Sequence, residues 1–269
     1  MKSNTHQAAD TNPFKNAPEI FQRIRSEVTV ISFDLWGTLF DDRALRTDRM
    51  TFRERRIRYF QRALREAGVR IDYGTAKDAY QHARQVFDDY WRRQQAFDAD
   101  IGMDAMLKFV GAAIPEPIRQ NIIRYFQTVV NLVTLRMYPG TREAIHRLAG
   151  RYRLALISDT GWTPSWVLRE QLRRNDILSC FALTIFSDET GVCKPHPSMF
   201  ARVTDHFHVR PEQCMHVGDI PFTDLLGAKR AGFYAAWIYK PELETEITSE
   251  SAPDWVAHSV AELTEDLMA

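Results

Sequence analysis

"VTVISFDLWGTLFDD", from Val28 to Asp42, begins as an apolar run and breaks at an acid. The run reads as a buried strand, and Asp34 stands at its end with Gly37 and Thr38 close behind. A carboxylate in that position is costly unless something pairs with it, because a desolvated charge needs a partner. Four later segments have the same strand character. "YRLALIS" ends at Ser158, "FALTIFS" at Ser187, "CMHVGD" at Asp219 and "YAAWIY" at Tyr239. Each is short, apolar and followed by polar or turn residues, as fully buried parallel strands are. Helix-like segments separate them: "GTREAIHRLAGR", "PSWVLREQLRRN", "HPSMFARVTDHF" and "TDLLGAKRAG". This alternation predicts an α/β fold, with a Rossmann-like parallel sheet covered by helices on both faces. "PDWVAHSVAELTEDL" reads as a last short strand and helix.

Residues 43–137 follow a different rule. They are charge-rich, carry helical periodicity and contain no convincing strand. In "RMTFRERRIRYFQRALREAG", Phe52, Ile57, Phe60 and Leu64 fall near one helical stripe, and Gly68 suits a C-cap. "TAKDAYQHARQVFDDYWRRQQAF" and "IRQNIIRYFQTVVNLVTLRM" read as two more long helices, and "MDAMLKFVGAAI" as a shorter one. The expected organisation is an N-terminal extension over 1–26, a core over 27–42 and 138–269, and an inserted all-helical domain over 43–137. Arg53, Arg55, Arg56 and Arg58 read as a solvated helix face, with contact to an anionic substrate as the alternative. Glu54 and Arg58 have the spacing of an ordinary helix pair. Phe87, Tyr90 and Trp91 share one helix and read as core of this insertion, which the resemblance below makes a cap.

The bulk composition narrows the classes. The chain has 269 residues, 45% of them hydrophobic, enough for a large core. Lys+Arg and Asp+Glu are both 35, so net charge argues for neither nucleic acid nor an acidic membrane surface as partner. Cys180, Cys193 and Cys214 form neither a CxxC pair nor a zinc set, and fit free thiols in a reducing cytoplasm. No stretch reaches the apolar length of a membrane span. The polar N-terminus has no apolar core of a signal peptide and is expected to be a loosely packed extension. Oligomeric state is not legible.

In open parallel sheets, ligands bind at the carboxyl ends of the strands. Those ends carry Asp34 and Thr38, then Ser158, Asp159 and Thr160, then Lys194 in "GVCKPHPSMF", then Gly218, Asp219 and Asp224. Each alone has a structural use. Ser158 could cap the helix beginning near Pro164, Lys194 could lie on a loop surface, and Asp224 could be a helix N-terminal charge. Together they place acids, hydroxyls and one lysine on a single edge.

Taken in order, "FDLWGTL", "LALISDT", "GVCKPHPSMF" and "HVGDIPFTDLLGAKRAGF" resemble the four motifs of the haloacid dehalogenase superfamily of hydrolases. The helical insertion is similar to that family's cap. The resemblance covers nearly the whole chain apart from the N-terminal extension. It implies a small phosphorylated substrate and Mg²⁺ as cofactor, with Asp34 as nucleophile. It also implies Asp34, the Trp36 carbonyl and Asp219 as metal ligands, with Asp224 orienting the site or a metal-bound water. Lys194 would offset the carboxylates. Ser158 and Thr38, with backbone N–H groups near Gly37, would meet the phosphoryl oxygens, beside Asp159 and Thr160.

Trp36 departs from the phosphatase pattern, which usually has a second aspartate two residues after the nucleophile. An indole has no useful acid–base chemistry, and a positioned general acid is worth about 10²–10⁴ in rate. His82, Asp41 and Asp42 are candidates for a replacement. An aromatic residue at this position also resembles the 2-haloacid dehalogenases, whose aspartate displaces halide from carbon without a metal. Their fourth motif lacks the acid that "VGDIPFTD" keeps, which favours phosphate. A third reading is a non-catalytic binding or regulatory protein, which would predict an eroded site.

Overall fold

The computed structural model describes residues 18–41, 46–47, 50–241 and 246–269. Helix α1 (Pro18–Glu27) leads into β1 (Val30–Phe33). A short antiparallel ribbon, β2 (Arg46–Thr47) and β3 (Met50–Thr51), then precedes α2 (Phe52–Glu66), α3 (Tyr73–Arg92), α4 (Ala99–Val110) and α5 (Glu116–Thr128). The chain returns through α6 (Thr141–Ala149), β4 (Arg153–Ser158), α7 (Ser165–Arg174), β5 (Phe181–Phe186) and the single-turn α8 (Ser187–Thr190). It ends with α9 (Pro197–Phe207), β6 (Cys214–Gly218), α10 (Leu226–Arg230), β7 (Tyr234–Ile238), β8 (Trp255–Ala257) and α11 (Val260–Met268).

Six strands form one sheet in the order β5-β4-β1-β6-β7-β8, every pair parallel. Alternate residues of each strand feed opposite faces, because side chains in a strand repeat every two residues. Ile31, Phe33, Leu154, Leu156, Met215 and Val217 join α6, α7 and α11 in one apolar cluster. Val30, Ala155, Ile157, Cys214 and Trp237 join Phe200 and Val203 of α9 in another. Burial on both faces explains why these strands read as unbroken apolar runs. From β1 the chain winds outward through β4 and β5, then returns to β6 on the other side of β1. That reversal leaves a crevice at the carboxyl ends of β1 and β6.

Helices α2 to α5 bury Ile57, Phe60, Leu64, Ala83, Met106 and Phe126 among themselves. Thr51 starts α2 with a capping box in which Glu54 accepts from the Thr51 N–H at 2.8 Å. Arg58, expected to pair with Glu54, lies instead over the Tyr73 ring at 5.0 Å. The β2–β3 ribbon corrects the strand-free reading of this region. Two residues a side is too short to leave a periodic signal.

The extension over 1–26 is also corrected in part. From Pro18 the chain is helical, Ile24 is buried, and Phe21 stacks on Trp255 with centroids 4.0 Å apart. Ile20, Phe21 and Ile24 form the apolar stripe that docks α1. The Tyr234 hydroxyl fixes its end by donating to Glu27 at 2.6 Å. Residues 1–17 and Asp42 lie outside the described residues. Among the described residues, no helix is long and apolar enough to cross a membrane.

One side chain from the sheet side completes the helical cluster. Trp162, in the loop after β4, sits 5.4 Å from Tyr80, 5.4 Å from Phe97 and 5.0 Å from Phe126, ring to ring. Trp162→Ala should cost about 3–5 kcal/mol, as deletion of a buried aromatic does. Urea denaturation should show this as a lowered midpoint.

Candidate active site

The crevice collects the acids that the strand ends predict. The Asp34 N–H continues the β1–β6 ladder by donating to the Val217 carbonyl at 2.9 Å, which holds the residue against β6. Asp34 Oδ1 accepts from Lys194 Nζ, and the same ammonium donates to Asp224 Oδ1 at 2.8 Å. Lys194 is 2% exposed. Its backbone N–H is anchored to Asp159 Oδ1 at 2.9 Å.

Asp224 lies in a π-type turn over Pro221–Leu225, ahead of α10, where the sequence suggests plain helix. Its Oδ2 accepts from the Asp219 and Ile220 N–H groups at 3.1 and 2.9 Å. A Cβ on Gly218 would fall 2.3 Å from Asp224 Cγ, so only glycine lets the carboxylate tuck beneath the strand end. Gly37 does the same on the facing loop. It has φ +76°, and a Cβ there would fall 2.2 Å from Asp219 Oδ2.

One carboxylate oxygen each from Asp34, Asp219 and Asp224 lies within 4.8 Å of the other two, and all three residues are buried. Burial pushes Asp34 well above the usual carboxylate range, against the pull of Lys194, and Asp224 and Asp219 push it further. Burial and then Asp224 push Asp219 up to about 6, with Lys240 opposing. Asp224 is held well below its ordinary value because Lys194 and the His216 hydrogen bond outweigh its burial. Lys194 stays protonated because Asp224, Asp34 and Asp159 outweigh the desolvation of its ammonium. Counting Asp159, which accepts from the Lys194 backbone N–H, four carboxylates stand against two ammonium groups, Lys194 and Lys240. The cluster is short of positive charge, and its donors are hard oxygens of the kind that hold Mg²⁺.

Other expected residues sit as follows. Thr38 Oγ1 donates to Asp219 Oδ1 at 3.4 Å. Ser158 is fully buried at the end of β4, and its hydroxyl reaches only the Asp159 carbonyl, at 3.4 Å. It caps no helix, since α7 has no side-chain cap. Thr160 turns its hydroxyl to Ser187 Oγ at 2.9 Å and to the Asp188 N–H at 3.1 Å. The Gly37 N–H donates to the Phe40 carbonyl at 2.9 Å, so it is occupied within its own loop. The Leu35 and Trp36 amides donate to no described residue. Asp41 pairs with Arg136 at 2.6 Å, and the His82 ring packs on Phe109 at 5.4 Å.

Between this edge and the helices lies a cavity of about 680 Å³, with Trp36, Asp159 and Thr160 in its wall. The helices contribute Arg53, Arg56, Tyr80 and Phe87. Of the arginines read as a solvated face, Arg53 and Arg58 are exposed, but Arg56 is buried. Trp91 is likewise not simply cap core, because its Nε1 donates to Asp159 Oδ2 at 3.3 Å.

Sequence reasoning missed Lys240 and His216. Lys240 Nζ donates to Asp219 Oδ2 at 2.9 Å and to the Gly37 carbonyl. It stands one residue beyond the "YAAWIY" strand, so the strand-end rule applied to that strand would have found it. His216 backs Asp224, with Nε2 3.5 Å from Oδ1, and its Nδ1 is 2.9 Å from Ser32 Oγ. Burial lowers its pKa and favours the neutral ring.

A family model described as haloacid dehalogenase-like hydrolase matches residues 28–232. The glyceraldehyde 3-phosphate phosphatase of Pyrococcus furiosus is 28% identical over 244 residues, covering 89% of this chain and 93% of the relative. A 2-haloacid dehalogenase from Pseudomonas syringae superposes with a TM-score of 0.67 at 19% identity, covering 90% of this chain and 98% of the other. A HAD-hydrolase of Bacillus subtilis, solved bound to magnesium, gives 0.62 at 18% identity, covering 90% of this chain and 100% of the other. At those identities the two structures establish a shared fold.

The tight approach of the Gly37 loop to Asp219 can be tested on the protein alone. Gly37→Ala places a methyl group against a buried carboxylate at positive φ. It should destabilise the fold by about 1–3 kcal/mol, measured by chemical denaturation.

Proposed function

The chain belongs to the haloacid dehalogenase-like hydrolases, and on that premise we propose that it is a Mg²⁺-dependent phosphatase of a small phosphorylated metabolite. The observation that carries this reading is the Asp34, Asp219 and Asp224 cluster gathered around the Lys194 ammonium. The phosphatase name of the Pyrococcus relative and the magnesium of the Bacillus neighbour support it.

In this reading Asp34 is the nucleophile. Its Oδ2 accepts no hydrogen bond from a described residue, so one oxygen is held by Lys194 and the other is free to attack. A bond forms from Asp34 to phosphorus, the phosphorus–ester bond breaks, and its electron pair leaves on the alcohol oxygen. Water then attacks the aspartyl-phosphate, releasing phosphate and restoring the carboxylate. Lys194 offsets the charge that accumulates beside Asp34. The Leu35 and Trp36 amides, with Thr38 and Ser158, are the donors for the phosphoryl oxygens. Asp34 and Asp219, with the Trp36 carbonyl, would hold the metal, and Asp224, whose Oδ1 accepts from Lys194 and whose Oδ2 accepts from two backbone N–H groups, would orient the site. Bound there, Mg²⁺ would neutralise and orient the phosphoryl oxygens.

Trp36 replaces the usual acid, so the leaving alcohol has no carboxyl donor at that position. The cavity wall offers Asp88 and Asp159, and Asp159 already accepts from Lys194 and Trp91. Phosphates with good leaving groups, such as acyl or enol phosphates, are therefore the better substrates. The half-buried indole in the cavity wall favours a second reading, a 2-haloacid dehalogenase whose halide needs no proton. The intact acid cluster weighs against it.

Turnover of a broad phosphate-ester panel should require Mg²⁺, and Asp34→Asn should reduce it at least about a thousandfold, as loss of a covalent nucleophile does. No turnover of any phosphate, together with hydrolysis of 2-chloropropionate in EDTA, would establish the dehalogenase instead. Divalent binding supplies a separate prediction. Because burial pushes up both Asp34 and Asp219, the latter to about 6, and both must lose their protons to ligate, Mn²⁺ affinity should weaken as pH falls toward and through that value. Below it the loss should be at least about tenfold per unit, since each ligand still protonated must release a proton on binding. Lys240→Met removes a competing cation from Asp219 and should tighten Mn²⁺ at least about tenfold. Both effects are read by electron paramagnetic resonance titration without substrate.

A further inference from the structure

Arg56 is a buried cation that the phosphoryl-transfer site does not use. It is 8% exposed and lines the cavity together with Thr163. Its Nε and Nη2 donate to the Phe126 carbonyl at 3.0 and 2.8 Å, and Nη2 also donates to Thr163 Oγ1 at 3.2 Å. All of these acceptors are neutral. Among the described residues, no carboxylate forms an ion pair with it. Other sequestered cations among the described residues are compensated. Lys194 holds Asp34 and Asp224, Lys240 holds Asp219, and Arg119 holds Asp100, Asp104 and Glu116.

A buried charge without a counter-charge is a standing cost to the fold. It is retained where a ligand supplies the opposite sign. Burial lowers the Arg56 guanidinium from its ordinary value, and only the Tyr80 and Tyr125 phenols oppose that. The surroundings suit an anion-bearing carbon skeleton. Trp36, Phe87 and Trp162 supply apolar wall, while Arg53 and Arg84 stand exposed on the same cavity. At about 680 Å³, the space exceeds what a phosphate group alone would fill.

We propose that the substrate carries a second anionic group, a carboxylate or a further phosphate, which docks on Arg56 while the transferring phosphate meets Asp34. This rests on the phosphatase reading for the identity of the group at Asp34. The role of Arg56 is specificity, exercised through ground-state and transition-state binding alike, with no part in the bond-breaking step.

The test uses matched aryl phosphates, which have a good leaving group and differ in one anionic group: 4-carboxyphenyl phosphate against phenyl phosphate, and 1,4-phenylene bisphosphate against phenyl phosphate. The wild-type protein should favour the more anionic member of at least one pair. Arg56→Met should erase that preference by raising KM about 10- to 100-fold for the anionic member only, the range for a charge-assisted hydrogen bond. Arg56→Lys should restore part of it. In the ligand-free protein, Arg56→Met should melt at the wild-type temperature or higher, because an unpaired buried charge is replaced by an apolar chain. A clear drop in melting temperature with unchanged preference would make Arg56 a structural tie to Phe126 and overturn the proposal. So would turnover in which neither pair shows a preference. Calorimetric binding of the same esters to Asp34→Asn protein separates the two readings. An Arg56-dependent preference in binding, with no turnover by wild-type protein, would sink the phosphatase reading and leave the anion site standing.

Discussion

Lys194 puts one ammonium between two buried carboxylates, and much of the sheet edge is arranged to make that placement stable. Asp34 comes from the central strand and Asp224 from the turn after its neighbour, so the ion pair bridges the two strands that border the crevice. Removing one partner would leave the others desolvated and unpaired, which is far more costly than the pair itself is stabilising. The supporting contacts follow from this. Asp224 is fixed by two backbone N–H groups and backed by His216, and the Lys194 backbone is tied to Asp159. Two glycines allow the close approaches, Gly218 under Asp224 and Gly37 beside Asp219. The residual negative charge, felt most by Asp34 and Asp219, is what suits the cluster to a divalent cation.

The helical insertion is coupled to this edge by a few large side chains. Trp162 leaves the loop after β4 and completes the aromatic cluster of the helices. Trp91 reaches the other way, from α3 to Asp159, which in turn holds Lys194. A shift of α3 would therefore be felt at Lys194 through one carboxylate. This gives the helices a physical route to the chemistry beyond forming the roof of a cavity.

The strands and their acidic ends were legible because a parallel strand buried on both faces cannot hide its pattern. It must be an apolar run, and a charge at its end stands out. What escaped had weaker signals for identifiable reasons. Helix α1 carries its stripe in only three residues, Ile20, Phe21 and Ile24, behind a long polar lead. The β2–β3 ribbon is too short to show alternation. Lys240 lies one residue beyond the apolar strand and looks like an ordinary loop lysine until the Gly37 loop and Asp219 are folded beside it. Arg56 was grouped with its arginine neighbours, yet it lies four residues after Phe52 and four before Phe60, on the buried stripe itself. Helical spacing held that information, but the expectation that charges face water overrode it.

Trp36 and Arg56 bear on the same question from opposite sides of the cavity. At the sheet edge an acid is replaced by an indole, so the protein gives up proton donation where the family's phosphatases usually have it. In the helices a position on the apolar stripe is given to a guanidinium, so the protein accepts an unpaired charge where stability alone would favour leucine or methionine. The first substitution removes catalytic help that a poor leaving group would need. The second adds binding that only an anionic substrate could use. Binding energy gained away from the reacting bond can be spent on orienting it, and a firmly oriented substrate with a good leaving group has least need of the missing acid. On the proposed reading the two departures are mutually consistent: selection of an activated, multiply charged phosphate by the helices, and a sheet edge that keeps the proposed nucleophile, the lysine and the acid cluster.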